Sequence, residues 1–239
     1  DKYAPFRVGF VEDKLVVTDY YDVSLTDTAR IRIGDVITRI DGRPVEYIVD
    51  SAAVYYPASN RPTRLRDLAG DILRSDRNTL ALDILSDGRP VTAQVTLYPR
   101  DSLDMNVGSD RPSYRILDGN IGYVNLAVIE MDDIAPIKRD FADTRGIIID
   151  IRNYPNAFVP FALGSYFVSE KRPFVKFTIG SVGDPGRFVF REGDRIPADR
   201  RPYNGKLVVL VNEQTQSQAE YTAMAFRAGG NTTVAGSTT

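Results

Sequence analysis

The chain has 239 residues, a net charge of −2 and no histidine, cysteine or tryptophan. Without cysteine there is no disulfide framework, thiol nucleophile or Cys-based zinc site, and without histidine no Ser-His-Asp triad. Chemistry here falls to Ser, Thr, Lys, Tyr or carboxylates. The 30 basic and 32 acidic residues are spread over both halves, which argues against a nucleic-acid footprint. No apolar run approaches the roughly 20 residues that a transmembrane helix needs. The chain starts at Asp1 and stops at Ser237-Thr238-Thr239 with no closing helix, so it reads as a piece of a longer protein.

Residues 1–100 read as a small β-rich domain. Val8 to Phe10 and Leu15 to Thr18 are strand-like around a Glu12-Asp13 turn, and Gly34 to Ile40 is a strand ending in Asp41-Gly42. Tyr47 to Pro62, rich in Tyr, Pro, Ser and Asn, reads as an irregular loop. Thr63 then caps a helix reaching Ser75, with Leu65, Leu68, Ala69, Ile72 and Leu73 on one apolar face. Asn78 to Leu85 and Pro90 to Tyr98 are strands joined at Ser86-Asp87-Gly88.

A polar linker follows over 101–112, and residues 113–239 then alternate strand and helix, as an α/β layer fold does. Ile121 to Leu126, Gly146 to Ile151 and Leu207 to Val211 read as strands, the last two as buried parallel ones. Asp133 to Phe141, Phe158 to Val168 and Gln216 to Arg227 read as helices. Phe174 to Ile179 with Phe188 to Arg191 suggests a hairpin, and Thr233 to Ala235 begins a further strand.

The chemically suggestive junction is Val211-Asn212-Glu213-Gln214-Thr215-Gln216-Ser217-Gln218-Ala219-Glu220. An apolar strand enters a polar turn and then a helix, which places a serine hydroxyl beside the unpaired N–H groups of a helix start. The plain alternative is a helix cap, with Ser217 and Glu220 forming a capping box.

This segment resembles the nucleophile motif of the C-terminal processing peptidases, or tail-specific proteases, where Val-Asn precedes Ser/Thr-Ala-Ser-Ala-Ser-Glu. The resemblance implies Ser217 as nucleophile and the Gln218 backbone N–H as one oxyanion-hole donor, with Gln residues standing where small ones are expected. Gly146-Ile147-Ile148-Ile149-Asp150-Ile151-Arg152-Asn153-Tyr154-Pro155-Asn156-Ala157 resembles the family strand that leads into Asp-Leu-Arg-Asn-Asn-Pro-Gly-Gly. It implies the second oxyanion donor at the Asn156 backbone N–H, Asn being the residue other than Gly that best tolerates a left-handed backbone. Asp150 and Arg152 read as an ion pair at the strand end.

Residues 1–100 resemble the PDZ domain that such peptidases carry. Phe6-Arg7-Val8-Gly9-Phe10 stands at the carboxylate-binding loop, and Arg30-Ile31-Arg32-Ile33-Gly34-Asp35-Val36-Ile37 at the Gly-Asp-Val-Ile strand entry. Val8, Gly9, Phe10, Leu65, Leu68 and Ile72 are the implied peptide-binding residues, some of which must also make core.

The family base is a lysine about 25 residues beyond the nucleophile, and Val234-Ala235-Gly236 matches the Val-Val-Gly before it. The base is therefore expected a few residues past Thr239. Lys206 lies at the far end of its strand, and Lys138, Lys171 and Lys176 read as surface residues.

The expected fold is a PDZ β-barrel-like domain (1–100), then a Clp protease/crotonase-like α/β core (113–239), C-terminally incomplete. The expected function is an exported serine endopeptidase, periplasmic or associated with the cell envelope, acting on a polypeptide or C-terminal tail, and this reading implies no metal or organic cofactor. The alternative is an inactive relative that binds peptides or acts as a scaffold.

Overall fold

Period-two alternation of apolar and polar residues shapes the first of two units, Asp1–Ser109 and Asp110–Thr239. The computed structural model describes residues 1–26, 31–105 and 111–239. Arg30 and much of the expected linker lie outside the described residues.

The first unit contains β1 (Lys2–Tyr3), β2 (Phe6–Val11), β3 (Lys14–Tyr20), a short helix α1 (Val23–Thr26), β4 (Val36–Ile40), β5 (Arg43–Pro44), α2 (Val45–Ala52), α3 (Arg61–Asp71), β6 (Thr79–Ser86), β7 (Arg89–Thr96) and β8 (Tyr98–Pro99). β2, β3, β4, β6 and β7 form an antiparallel sheet in that order, with β5 paired to β4, while β1 pairs with β8. Its corners at Glu12-Asp13, Asp41-Gly42 and Asp87-Gly88 each hold two consecutive residues at positive φ, between 48° and 77°. That is the type I′ geometry whose twist matches a hairpin. The inward positions Leu15, Val17, Ile37, Leu82, Ile84 and Val95 are buried in one core.

Three expectations for this unit need correction. Tyr47 to Pro62 is not a single loop: α2 covers its start, because Val45 and Val49 stand one turn apart and both bury. The cap of α3 is Asn60, whose side chain accepts the Thr63 N–H at 2.8 Å, and Pro62 fits the first turn, where its missing N–H costs nothing. Val8 to Phe10 is strand as expected, but Phe6 and Arg7, which the resemblance places in the carboxylate-binding loop, are paired strand too, with a register shift between Arg7 and Val8.

The second unit contains β9 (Tyr114–Leu117), β10 (Ile121–Asn125), α4 (Ile134–Asp140), β11 (Gly146–Asp150), α5 (Pro160–Gly164), β12 (Arg172–Val175), β13 (Thr178–Gly180), β14 (Phe188–Phe190), β15 (Asp194–Ile196), β16 (Lys206–Val211), α6 (Gln218–Arg227) and β17 (Thr232–Gly236). The sheet order is β17-β16-β11-β10-β9; the first four strands are parallel and β9 is an antiparallel edge. Ile147, Ile149, Leu207 and Val209 bury in this sheet as expected for strands covered on both faces. The expected helix over Phe158–Val168 is only α5 followed by a 3-10 turn, Ser165–Phe167. The expected hairpin is present as β13 paired antiparallel with β14, while Phe174 belongs instead to β12, which pairs with β15.

Register brings the carboxyl ends of the parallel strands to one edge. Asn125 pairs with Asp150, Asp150 with Leu210, and Val211 with Gly236. The loops leaving that edge are the place where open parallel sheets assemble sites.

Candidate active site

Ser217 occupies the turn between β16 and α6 with φ +54° and ψ −110°. Among the described residues the non-glycine positions at positive φ are Glu12, Asp13, Asp41, Asp87, Asn120 and Ser217. Ser217 differs from an ordinary left-handed residue in ψ as well; its pair of angles is that of the first corner of a type II′ turn, a place for glycine. Such a backbone costs on the order of 1–3 kcal/mol and persists only where its surroundings hold it. The Ser217 side chain is exposed.

The surroundings supply the hold. Thr215 is fully buried. Its Oγ1 donates to the Ile151 carbonyl at 2.7 Å and accepts the Asn212 N–H at 3.0 Å. The Thr215 N–H returns to the Asn212 carbonyl at 2.9 Å, and the Gln214 N–H donates to Asn212 Oδ1 at 3.0 Å. Glu220 accepts the Ser217 N–H at 2.9 Å, so the carboxylate arm of the expected capping box is present beside the strained serine.

The opposing wall is the segment after β11. Asp150 accepts from Arg152 Nε at 2.9 Å, Arg152 Nη2 at 2.7 Å, and the Tyr123 hydroxyl at 2.9 Å. Burial acts to raise the Asp150 carboxyl, but the Arg152 and Tyr123 hydrogen bonds outweigh it and hold the group below its ordinary value. Asp150 and Arg152 thus make the ion pair the sequence suggests and stiffen the loop. Two bonds join the walls: Thr215 to Ile151, and Gln218 Nε2 to the Ala157 carbonyl at 3.2 Å. The second explains what a glutamine does at position 218, since a small residue could not reach across.

Asn156 does not stand as expected. Its φ is not positive, and its backbone N–H donates to the Leu126 carbonyl at 2.9 Å while Nδ2 donates to Ile129 O at 3.1 Å. The amide assigned to the oxyanion is engaged by the neighbouring loop. Its acceptor lies 30 positions away, beyond the reach of any local pattern.

Lys138 pairs with Asp199 at 2.7 Å, and Lys171 and Lys176 are exposed. Lys206 begins β16, the strand that ends at Val211 before the Ser217 turn, which puts it on the order of 17 Å from that end. The tail after β17 lies beside the turn: Ser237 Oγ donates to Glu213 Oε2 at 3.1 Å, and Thr239 Oγ1 to Glu220 Oε1 at 3.3 Å. Next to Ser217 on α6, Tyr221 donates to Asp194 Oδ2 at 2.8 Å. Burial first, and then that carboxylate, push the Tyr221 hydroxyl up to about 12, so it stays protonated at neutral pH. No local sequence signal marks Thr215 as a tie or Tyr221 as a neighbour of the site, because the full burial of one and the ring contacts of the other are tertiary facts.

In the first unit the six expected peptide-binding residues divide. Val8, Leu65 and Leu68 are buried in the core, while Phe10 and Ile72 are partly buried at its margin. Gly9 lies within β2, an end strand of its sheet, with Thr18 Cγ2 at 3.4 Å from where a Cβ would stand. Among the described residues no helix is long and apolar enough to cross a membrane.

Residues 120–239 match the family model described as peptidase family S41. Among solved structures, mature CPAF complexed with lactacystin is similar with a TM-score of 0.70 at 14% identity, covering 98% of this chain and 68% of that one. Mature CPAF has a TM-score of 0.69, also at 14% identity and with the same coverage. At such identity the likeness is one of fold. No curated protein matches the chain.

Proposed function

The chain belongs to peptidase family S41, and on that premise we propose that it carries the nucleophile of a serine endopeptidase of the C-terminal processing type. The observation that carries the reading is the Ser217 backbone, a strained strand-to-helix turn of the kind that presents a nucleophile. Ser217 Oγ attacks the scissile carbonyl and forms an ester with the acyl half, its proton passing by way of a base to the leaving amine. Water then hydrolyses the ester. The Gln218 N–H, at the start of α6, is proposed to hold the oxyanion. The Asn156 N–H joins it only after exchanging the Leu126 carbonyl for substrate.

The base is proposed to be a lysine from beyond residue 239. The contacts of Ser237 and Thr239 with Glu213 and Glu220 support this, because they start the following segment beside the turn. The first unit is proposed to act as a PDZ domain that takes a polypeptide tail along the β2 edge, with Phe10 and Ile72 at the margin rather than Leu65 and Leu68. An exported, periplasmic or envelope setting is proposed from the family resemblance and fits a chain with no cysteine.

Full-length protein given an unfolded substrate with an apolar tail should cleave it, and Ser217→Ala should not. Equal cleavage by both ends the assignment. One observation favours the inactive alternative: the Asn156 amide is already bonded. Tail binding without cleavage by either protein would establish that alternative.

A further inference from the structure

Five aromatic rings of the second unit meet beside Ser217. Phe158, Tyr221 and Phe177 form a near-parallel column: Phe158 and Tyr221 are 5.9 Å apart at 22°, and Tyr221 and Phe177 6.2 Å apart at 19°. Phe174 and Phe161 meet the Tyr221 ring edge-on, at 4.9 and 6.3 Å. Rings that pack this way ordinarily bury, yet Phe158 is 52% exposed, Phe177 44% and Phe161 37%. The polar end of the column is already satisfied, since Asp194 takes the Tyr221 hydroxyl. What remains open is apolar.

Its position is set from both walls of the site. The Tyr221 N–H bonds the Ser217 carbonyl at 3.0 Å, one turn along α6. Phe158 directly follows Ala157, whose carbonyl holds the Gln218 side chain. The column therefore stands about one helical turn from Ser217, on the side where the loop after β11 meets the start of α6.

We propose that the Phe158–Tyr221–Phe177 column is the subsite that receives a bulky aromatic or aliphatic substrate side chain close to the scissile bond, and so determines specificity. This rests on the peptidase reading above. The occupant is a side chain of the substrate polypeptide because the column is continuous with the Ser217 turn and offers no unsatisfied polar group.

The test uses full-length protein and peptide pairs that carry Phe or Ala at each of three positions on either side of the cleaved bond. Wild type should favour Phe at one position by about tenfold or more in kcat/KM, the scale of one apolar pocket contact. Phe158→Ala and Phe177→Ala, both at exposed rings, should bring that ratio toward one. A ratio unchanged in both variants, with cleavage still abolished by Ser217→Ala, overturns the subsite and leaves the peptidase reading standing. If Ser217→Ala cleaves like wild type, the peptidase reading fails and the column is judged by binding alone. There, weaker binding of the labelled Phe peptide by Phe158→Ala supports it and equal binding overturns it. Sedimentation is run alongside: variants that only dissociate an oligomer, with peptide preference intact, assign the column to a second copy and refute the proposal.

Discussion

Replacing Thr215 by valine probes the tie that holds the Ser217 turn against the loop after β11. The shape is kept and the hydroxyl is lost. Two groups then lack their partner, the buried Ile151 carbonyl at 2.7 Å and the half-buried Asn212 N–H at 3.0 Å. Each buried group left unsatisfied costs about 1–3 kcal/mol. The methyl that replaces the hydroxyl returns part of this, for a net loss of about 2–4 kcal/mol. For a unit spanning Asp110–Thr239 this lowers the calorimetric midpoint by roughly 7–15 °C. Thr215→Ser keeps both hydrogen bonds and deletes one buried methyl, so it should lose only about 1 kcal/mol. Scanning calorimetry of the three proteins reads the order directly. A valine variant within about 0.5 kcal/mol of wild type, or a serine variant as damaged as the valine one, refutes the claim that the hydroxyl ties the two walls.

Other perturbations follow the same physics. Ser217→Gly should be more stable than Ser217→Ala by about 1–2 kcal/mol in denaturant melts, because glycine adopts positive φ freely; the reverse order would mean that the turn is unstrained. Asp150 holds a proton less readily folded than unfolded, so it contributes stability above the ordinary carboxylate range that is lost as pH falls through its depressed value. Asp150→Asn should therefore cost roughly 1–3 kcal/mol at pH 7 and progressively less toward pH 2–3, and a pH-independent difference in urea titrations contradicts the ion-pair account. Gly122→Ala would set a Cβ 2.5 Å from the Phe141 ring and should destabilise by about 1–3 kcal/mol, whereas a neutral effect would show that the ring moves freely.

The parallel sheet was readable because Gly146–Asp150 and Lys206–Val211 are short apolar runs closed by polar turns, and such runs bury in few ways. The Asp-Gly corners were readable because few residues take positive φ. α2 was hidden: its two buried valines sit among Tyr, Ser and Ala, and composition spoke louder than the one-turn spacing. α5 came out short, since an apolar segment from Phe158 to Val168 does not say how much of itself is helix. At the site, sequence and resemblance pointed to Ser217 and its neighbours. They could not show that the Asn156 amide meets Leu126, that Thr215 spans to Ile151, or that rings from position 158 to 221 stack in one column. Those facts depend on chain segments that become neighbours only after folding.

A serine peptidase that uses Ser217 as nucleophile must pass through a covalent acyl intermediate on that residue. Full-length protein quenched during turnover of a slowly deacylated ester substrate, digested and mapped by mass spectrometry, tests it most directly. The acyl mass should sit on the peptide containing Ser217, with no adduct in Ser217→Ala. Turnover with the adduct elsewhere, or undiminished turnover by Ser217→Ala, would contradict it.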